Sequence, residues 1–194
     1  MANKPLDTTL LDRAIVFAVR AHAGTERRGK GFPYIVHPME ALEIVATMTR
    51  NQELLAAAVL HDTVEDTGVT IEQIRTGFGD LIASLVASES DTMPEGVSEE
   101  DSWHARKQDA IERLKRASLD AKIVALGDKL SNMRAIARDY ALQGDNVWQL
   151  FHVRDKAEHE WHYRGLADSL RELEDTFAFQ EFQRLIDEVF GKRD

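Results

Sequence analysis

The stretch LLAAAVLHDTVEDTG sets four polar side chains, His61, Asp62, Glu65 and Asp66, at the end of an apolar run. Burying such groups without partners is costly. Adjacent His61 and Asp62 can both reach one metal ion placed near a helix end, where a purely structural core would take Leu or Ala. Spacings of three and four put His61 with Glu65, and Asp62 with Glu65 and Asp66, on one broad face if the helix runs that far. The structural alternative is a solvated helix terminus with a hydrogen-bonded histidine. Two further stretches bear on the choice. GKGFPYIVHPMEAL puts His37 directly before Pro38 at an expected helix start, where it could serve chemistry or merely cap the helix. ALGDKLSNMRAIARDY puts Asp128 and Asn132 four apart on a helix whose other positions, Ile123, Leu126, Leu130 and Met133, are apolar. Taken alone, Asp128 could pair with Lys129 or Arg134 as a surface charge.

The elements that must position these groups read as helices throughout. Leu11, Ala14, Ile15, Ala18 and Val19 recur at helical spacing in a first segment, capped by Asp7, Thr8 or Thr9 and running to about Ala23, where Gly24 breaks it. Pro38 suits the first turn of a second helix, to about Met48. Residues Gln52 to Val64 form a third, apolar on nearly all faces and therefore central. Further helices are expected from Thr70 to about Gly77, Asp80 to Ser90, Trp103 to Ala117, Asp120 to Ala141, Val147 to Arg154, onward through a long segment to Thr176, and from Phe179 to Phe190. Between them, Asp91 to Ser102 carries Pro94, Gly96 and five acids, which makes it the expected loop, placed where it could cover a site. No composition shift marks a second domain, so the expectation is one all-α domain over residues 1–194.

Composition narrows the chemistry. The 194 residues include 24 basic and 34 acidic side chains, a net charge of −10, which repels a nucleic-acid polymer or an anionic membrane unless basic residues cluster locally. There is no cysteine, so a metal must be held by His, Asp and Glu. The N-terminal run has no apolar core of signal-peptide type, and no run approaches 18 apolar residues, so the cytoplasm is the expected address.

Together the motifs resemble the HD superfamily of metal-dependent phosphohydrolases, and more closely the hydrolase domain of RelA/SpoT-type enzymes, including single-domain small alarmone hydrolases. The likeness covers roughly residues 10 to 140, with C-terminal helices at about 145–190 beyond it. It rests on HAGTERRGKGFPYIVHP, AAAVLHDTVEDTG and LGDKLSNMRAI, in the family's order and at similar intervals. The resemblance implies an HD-type helical bundle in which His37, His61, Asp62 and Asp128 hold one divalent ion. It also matches Glu65 and Asp66 to the family's acidic pair and Asn132 to its asparagine, the expected catalytic groups. Mixed nitrogen and oxygen donors with open water positions suit Mn²⁺, with Fe²⁺ or Zn²⁺ as alternatives.

For substrate, the resemblance implies guanosine tetra- or pentaphosphate, losing its 3′-pyrophosphate to give GDP or GTP. Counter-charges would come from Arg27, Arg28 and Lys30 in the first motif and from Lys129 and Arg134 beside Asp128, with Tyr163 of AEHEWHYRGLADSL as a nucleotide contact. The sequence departs from the family at Thr25, and at Gly127, Lys129, Ser131 and Ala135 in LGDKLSNMRA, the last removing a threonine hydroxyl that the family turns to the nucleotide. Two other readings stay open: the same chemistry on another nucleotide phosphate, such as a nucleoside monophosphate or an NADPH-like dinucleotide, and a non-catalytic nucleotide sensor. His159 and His162, at i and i+3, could form a second metal site; the alternative packs Trp161 in the core and turns the histidines or Tyr163 to cleft or solvent. His22 is read as structural. At this length no synthetase domain is expected, which would make any alarmone role degradative.

Overall fold

The structure, a computed structural model, describes residues 6–27, 29–89 and 98–192. Among them all regular structure is helical, apart from one isolated antiparallel bridge between Glu26 and Pro33. The chain forms two compact units, residues 1–90 and 91–194.

In the first unit, helices α1 (Thr9–Ala21), α2 (Val36–Met48), α3 (Gln52–Leu60), α4 (Thr63–Asp66), α5 (Ile71–Phe78) and α6 (Asp80–Glu89) follow in order. The apolar run dictates the centre: every residue of α3 from Leu54 to Leu60 is buried, and α1, α2 and α6 all pack on it. Ala14 and Ala18, fully buried on α1, keep that helix close. Local signals set the starts. Asn51 caps α3 by accepting from the Glu53 amide at 2.9 Å, and Thr70 with Gln73 forms a capping box at α5.

Here α3 stops at Leu60, short of the single helix expected to Val64. The side chains that follow it finish the last turn: the His61 ring N–H donates to the Ala58 carbonyl at 2.8 Å and the Thr63 hydroxyl to the Leu60 carbonyl at 2.7 Å. Asp62, at φ −91° and ψ −2°, sits in the sparsely occupied bridge region where many active-site residues are found. The interruption is slight, since the Asp66 amide still donates to the Asp62 carbonyl at 2.9 Å, and the Asp62 and Asp66 carboxylates both come within reach of the Tyr34 hydroxyl.

In the second unit lie α7 (Glu99–Arg116), α8 (Leu119–Gln143), a 3-10 turn at Gly144–Leu150, α9 (Lys156–Ser169) and α10 (Phe177–Phe190). Helix α7 begins earlier than Trp103 because Ser98 caps it, accepting from the Asp101 amide at 3.0 Å; the described end of the expected 91–102 loop is thus helical, and 91–97 lie outside the described residues. The helix expected at 147–154 is instead that 3-10 turn. Gly165 permits the close approach of α7 to α9, since a Cβ there would stand 2.5 Å from Ile111 Cδ1. Helix α10 packs on both α8 and α9.

Candidate metal centre

The loop between α1 and α2 delivers two of the groups. His22 ends α1, and the backbone then folds on itself, with Tyr34 N–H donating to the Thr25 carbonyl at 2.8 Å and Arg27 N–H to the Phe32 carbonyl at 3.0 Å. Gly24, Gly29 and Gly31 take positive φ in this loop, a conformation other residues rarely adopt. The result places Tyr34 and, one turn on, His37 against the end of α3.

Three side chains converge there on one oxygen. Asp62 Oδ2 lies 2.7 Å from the Tyr34 hydroxyl, which donates to it, 3.0 Å from His61 Nε2 and 3.3 Å from His37 Nε2. The two histidines are buried, each offering a ring nitrogen within 4.8 Å of the other, and their rings meet edge to face. Because the His61 Nδ1–H donates to the Ala58 carbonyl, the neutral ring carries its lone pair on Nε2, aimed at a carboxylate oxygen that also offers only lone pairs. Such a pair repels unless positive charge sits between. Ligands about 2.1 Å from an octahedral ion stand about 3.0 Å apart along an edge, close to both imidazole–carboxylate separations. The donor set and its spacing fit a divalent ion.

Asp62 occupies the N-cap position of α4, yet its side chain makes no capping bond. A cap is worth typically about 1 kcal/mol, so the carboxylate is diverted from local stabilisation to the histidines. Glu65 and Asp66 follow on α4, both exposed. Burial, and then the Asp62 and Asp66 carboxylates, push the Tyr34 phenol far above its ordinary value, so it remains a donor. His22 stacks on Tyr34 with ring centroids 4.9 Å apart, and burial pushes its imidazole below the usual value against the opposing pull of Asp62. The Arg27 guanidinium lies 5.1 Å from the Tyr34 ring centroid, Lys30 is half-buried, and Arg28 lies outside the described residues.

In the second unit, Asp128 is buried on α8, with Oδ1 accepting from Asn132 at 2.6 Å and Oδ2 from Lys129 at 2.5 Å. Arg134 is committed elsewhere: its guanidinium grips Glu181 of α10 through two bonds of 2.9 and 2.6 Å, and holds that carboxyl below its ordinary range. Tyr163 is buried, its ring meeting those of His162, Phe182 and Phe190. His159 and His162 are core residues too. His159 Nε2 donates to the Val153 carbonyl at 2.8 Å and its ring stacks on Trp148, while Trp161 is only half-buried and stacks on exposed His104. That reverses the expected placement of the tryptophan and the histidines, because a neutral imidazole packs well among flat rings.

Residues 14–156 match the family described as HD domain, a span that runs through both units. The chain belongs to the HD-domain family. Among its HD-domain relatives, the guanosine-3′,5′-bis(diphosphate) 3′-pyrophosphohydrolase MESH1 of Danio rerio is 33% identical over 134 residues, 68% of this chain and 71% of that protein. A probable guanosine-3′,5′-bis(diphosphate) 3′-pyrophosphohydrolase of Synechocystis is 34% identical over 127 residues, 66% of this chain; the chain spans 17% of that relative's length. Among solved structures, a Listeria monocytogenes EGD-e protein aligns with TM-score 0.70 at 30% identity, covering 80% of this chain and 99% of its own. A metazoan orthologue of SpoT that hydrolyses ppGpp aligns with TM-score 0.72 over 98% of this chain, at 21% identity, a likeness of fold alone. No helix among the described residues is long and apolar enough to cross a membrane.

Proposed function

We propose that this HD-domain protein is a metal-dependent phosphohydrolase that removes the 3′-pyrophosphate of guanosine tetra- or pentaphosphate, leaving GDP or GTP. The observation that carries the reading is the convergence of His37, His61 and Tyr34 on Asp62 Oδ2, an arrangement that asks for a cation. The MESH1 relative, covered over most of its length, supplies the substrate class. The ligands are His37, His61, Asp62 and, by its motif, Asp128, which Asn132 orients through its 2.6 Å bond. A divalent ion held by that set, Mn²⁺ in our reading, supplies a Lewis acid for the phosphoryl oxygens and lowers the pKa of coordinated water.

The chain's own groups do the rest. Glu65 takes the proton of the attacking water, whose oxygen bonds to the phosphorus next to the ribose as the bond from phosphorus to the 3′ oxygen breaks. That proton passes from Glu65 by way of Asp66 to the 3′ oxygen, and pyrophosphate departs. Arg27, Arg28 and Lys30 offset the substrate's negative charge in a protein whose net charge is −10. Lys129 does the same beside Asp128. Ala135 offers no hydroxyl, so the nucleotide is held here without that contact.

Incubating the Mn²⁺-loaded protein with guanosine tetraphosphate, nucleoside monophosphates and NADPH separates the readings. Pyrophosphate together with GDP is the expected result. Orthophosphate from another nucleotide would replace the substrate assignment, and tight binding without product would make the protein a sensor.

A further inference from the structure

Asp62 is the proposed ligand that stands at the N-cap position of α4. It sits at the interruption between α3 and α4, in the bridge conformation, and makes no capping bond to α4. His61, by contrast, is oriented by the Ala58 carbonyl, and Asp128 by Asn132 one turn along α8. A donor that reaches the Asp62 carboxylate from outside the ligand set is the Tyr34 hydroxyl, 2.7 Å from Oδ2 and 28 residues away in sequence, which also lies within hydrogen-bond reach of Asp66. Tyr34 is itself set by backbone, through its amide on Thr25, and by rings. His22 stacks against it at 4.9 Å with an interplanar angle of 27°, Arg27 lies 5.1 Å from its centroid, and His37 meets it at 5.9 Å edge to face.

His22 is 2% exposed, and neither of its ring nitrogens has a protein hydrogen-bond partner. An imidazole so placed contributes to its neighbours as a flat ring. We propose that Tyr34 is a positioning residue that holds Asp62 Oδ2 toward His37 and His61, and that His22 acts through its ring face to hold Tyr34. This rests on the assignment of the metal to Asp62, and it adds two residues that touch neither ion nor substrate. A phenol donating to a ligand oxygen both fixes the direction of that oxygen and draws charge from it, which is how outer groups tune a metal ligand.

The test is Mn²⁺ titration by calorimetry on the full chain, with the Mn²⁺ electron paramagnetic resonance spectrum and steady-state kinetics on guanosine tetraphosphate. Tyr34→Phe removes one oxygen from a half-buried ring. It is expected to weaken Mn²⁺ binding about 10- to 100-fold, the range seen when outer partners of metal ligands are lost. At saturating Mn²⁺ its spectrum should change and kcat should fall while KM for the nucleotide holds, a split that general loosening of the fold would not produce. His22→Ala should weaken binding in the same direction, and His22→Phe, which restores a ring, should recover much of that loss. Should Tyr34→Phe fail to fold, the His22 pair alone decides the matter, since both leave the hydroxyl in place. Wild-type Mn²⁺ affinity and spectrum in Tyr34→Phe would overturn the role of Tyr34. A His22→Phe that loses as much as His22→Ala would overturn the stacking role. His61→Ala, run beside them, separates the failures: if it binds Mn²⁺ like wild type, the metal assignment itself falls, whereas if it loses the ion and Tyr34→Phe does not, only the positioning proposal falls.

Discussion

Replacing Asp62 with Asn should separate metal binding from folding, with opposite signs in the two states. In the metal-free protein Asp62 Oδ2 faces His61 Nε2 at 3.0 Å and His37 Nε2 at 3.3 Å. An amide nitrogen in that position donates to His61 Nε2 and, with its second hydrogen, to the Tyr34 hydroxyl, which turns from donor to acceptor, so a repulsion is relieved at a net gain on the order of 1 kcal/mol. Metal-free Asp62→Asn should therefore melt at or above the metal-free wild type. With metal the order reverses, because a neutral amide is a poor ligand. At Mn²⁺ about 100-fold above its Kd the ion stabilises the wild type by about 2.7 kcal/mol, and with a midpoint shift of about 2–4 °C per kcal/mol for a chain of this size, Tm should rise by about 5–11 °C. Thermal unfolding in EDTA and in Mn²⁺ reads both effects. Asp62→Asn should show no comparable rise. An equal rise in the variant, or a metal-free variant that unfolds well below wild type, would refute the reasoning.

Three further outcomes follow from the same structure. Glu65→Gln keeps volume and hydrogen-bonding capacity but removes basicity, so kcat should fall about 10²- to 10⁴-fold with metal content unchanged by elemental analysis; a lost ion would make Glu65 a ligand. Arg27→Ala should raise KM for the nucleotide while the ion stays bound, and an unchanged KM would leave Arg27 as packing for Tyr34 only. Burial holds His159 and His162 neutral, with pKa values below the ordinary 6.5. Below about pH 6.5 the unfolded chain binds protons that these native rings refuse, so stability should be flat above that pH and fall beneath it by up to about 1.4 kcal/mol per pH unit per ring. Denaturant midpoints measured from pH 8 to 5 check this, and His162→Leu should flatten the slope. The Arg134-paired Glu181, whose pKa is depressed, adds its own loss only below about pH 4.5.

Much of this was legible in the chain. The apolar run LLAAAVL announced a central helix, and Asn51, Thr70 and Ser98 are caps of a kind that sequence can show. The helix break at His61 and Asp62 was not, because it depends on side chains bonding back to carbonyls of their own helix, and the hydrophobic period runs through it undisturbed. Tyr34 was overlooked as a functional residue although it stands three before His37 in PYIVHP; a tyrosine at that spacing is a donor within reach of whatever the histidine serves. The acceptor 28 residues on is a tertiary fact. Arg134 is expected at the substrate from its charge on the helix that carries Asp128, and Tyr163 from the family resemblance. Their commitment to Glu181 and to the aromatic core depends on the packing of α10, which no local pattern encodes.

The most direct measurement is a product time course on guanosine tetraphosphate with one protein sample, stripped with EDTA and then reloaded with a single equivalent of Mn²⁺. The stripped protein should release nothing, and the reloaded protein should release GDP and pyrophosphate in equal amounts, with no orthophosphate. Pyrophosphate release from the stripped protein, or none from the reloaded one, would contradict a metal-dependent 3′-pyrophosphohydrolase built on His37, His61, Asp62 and Asp128.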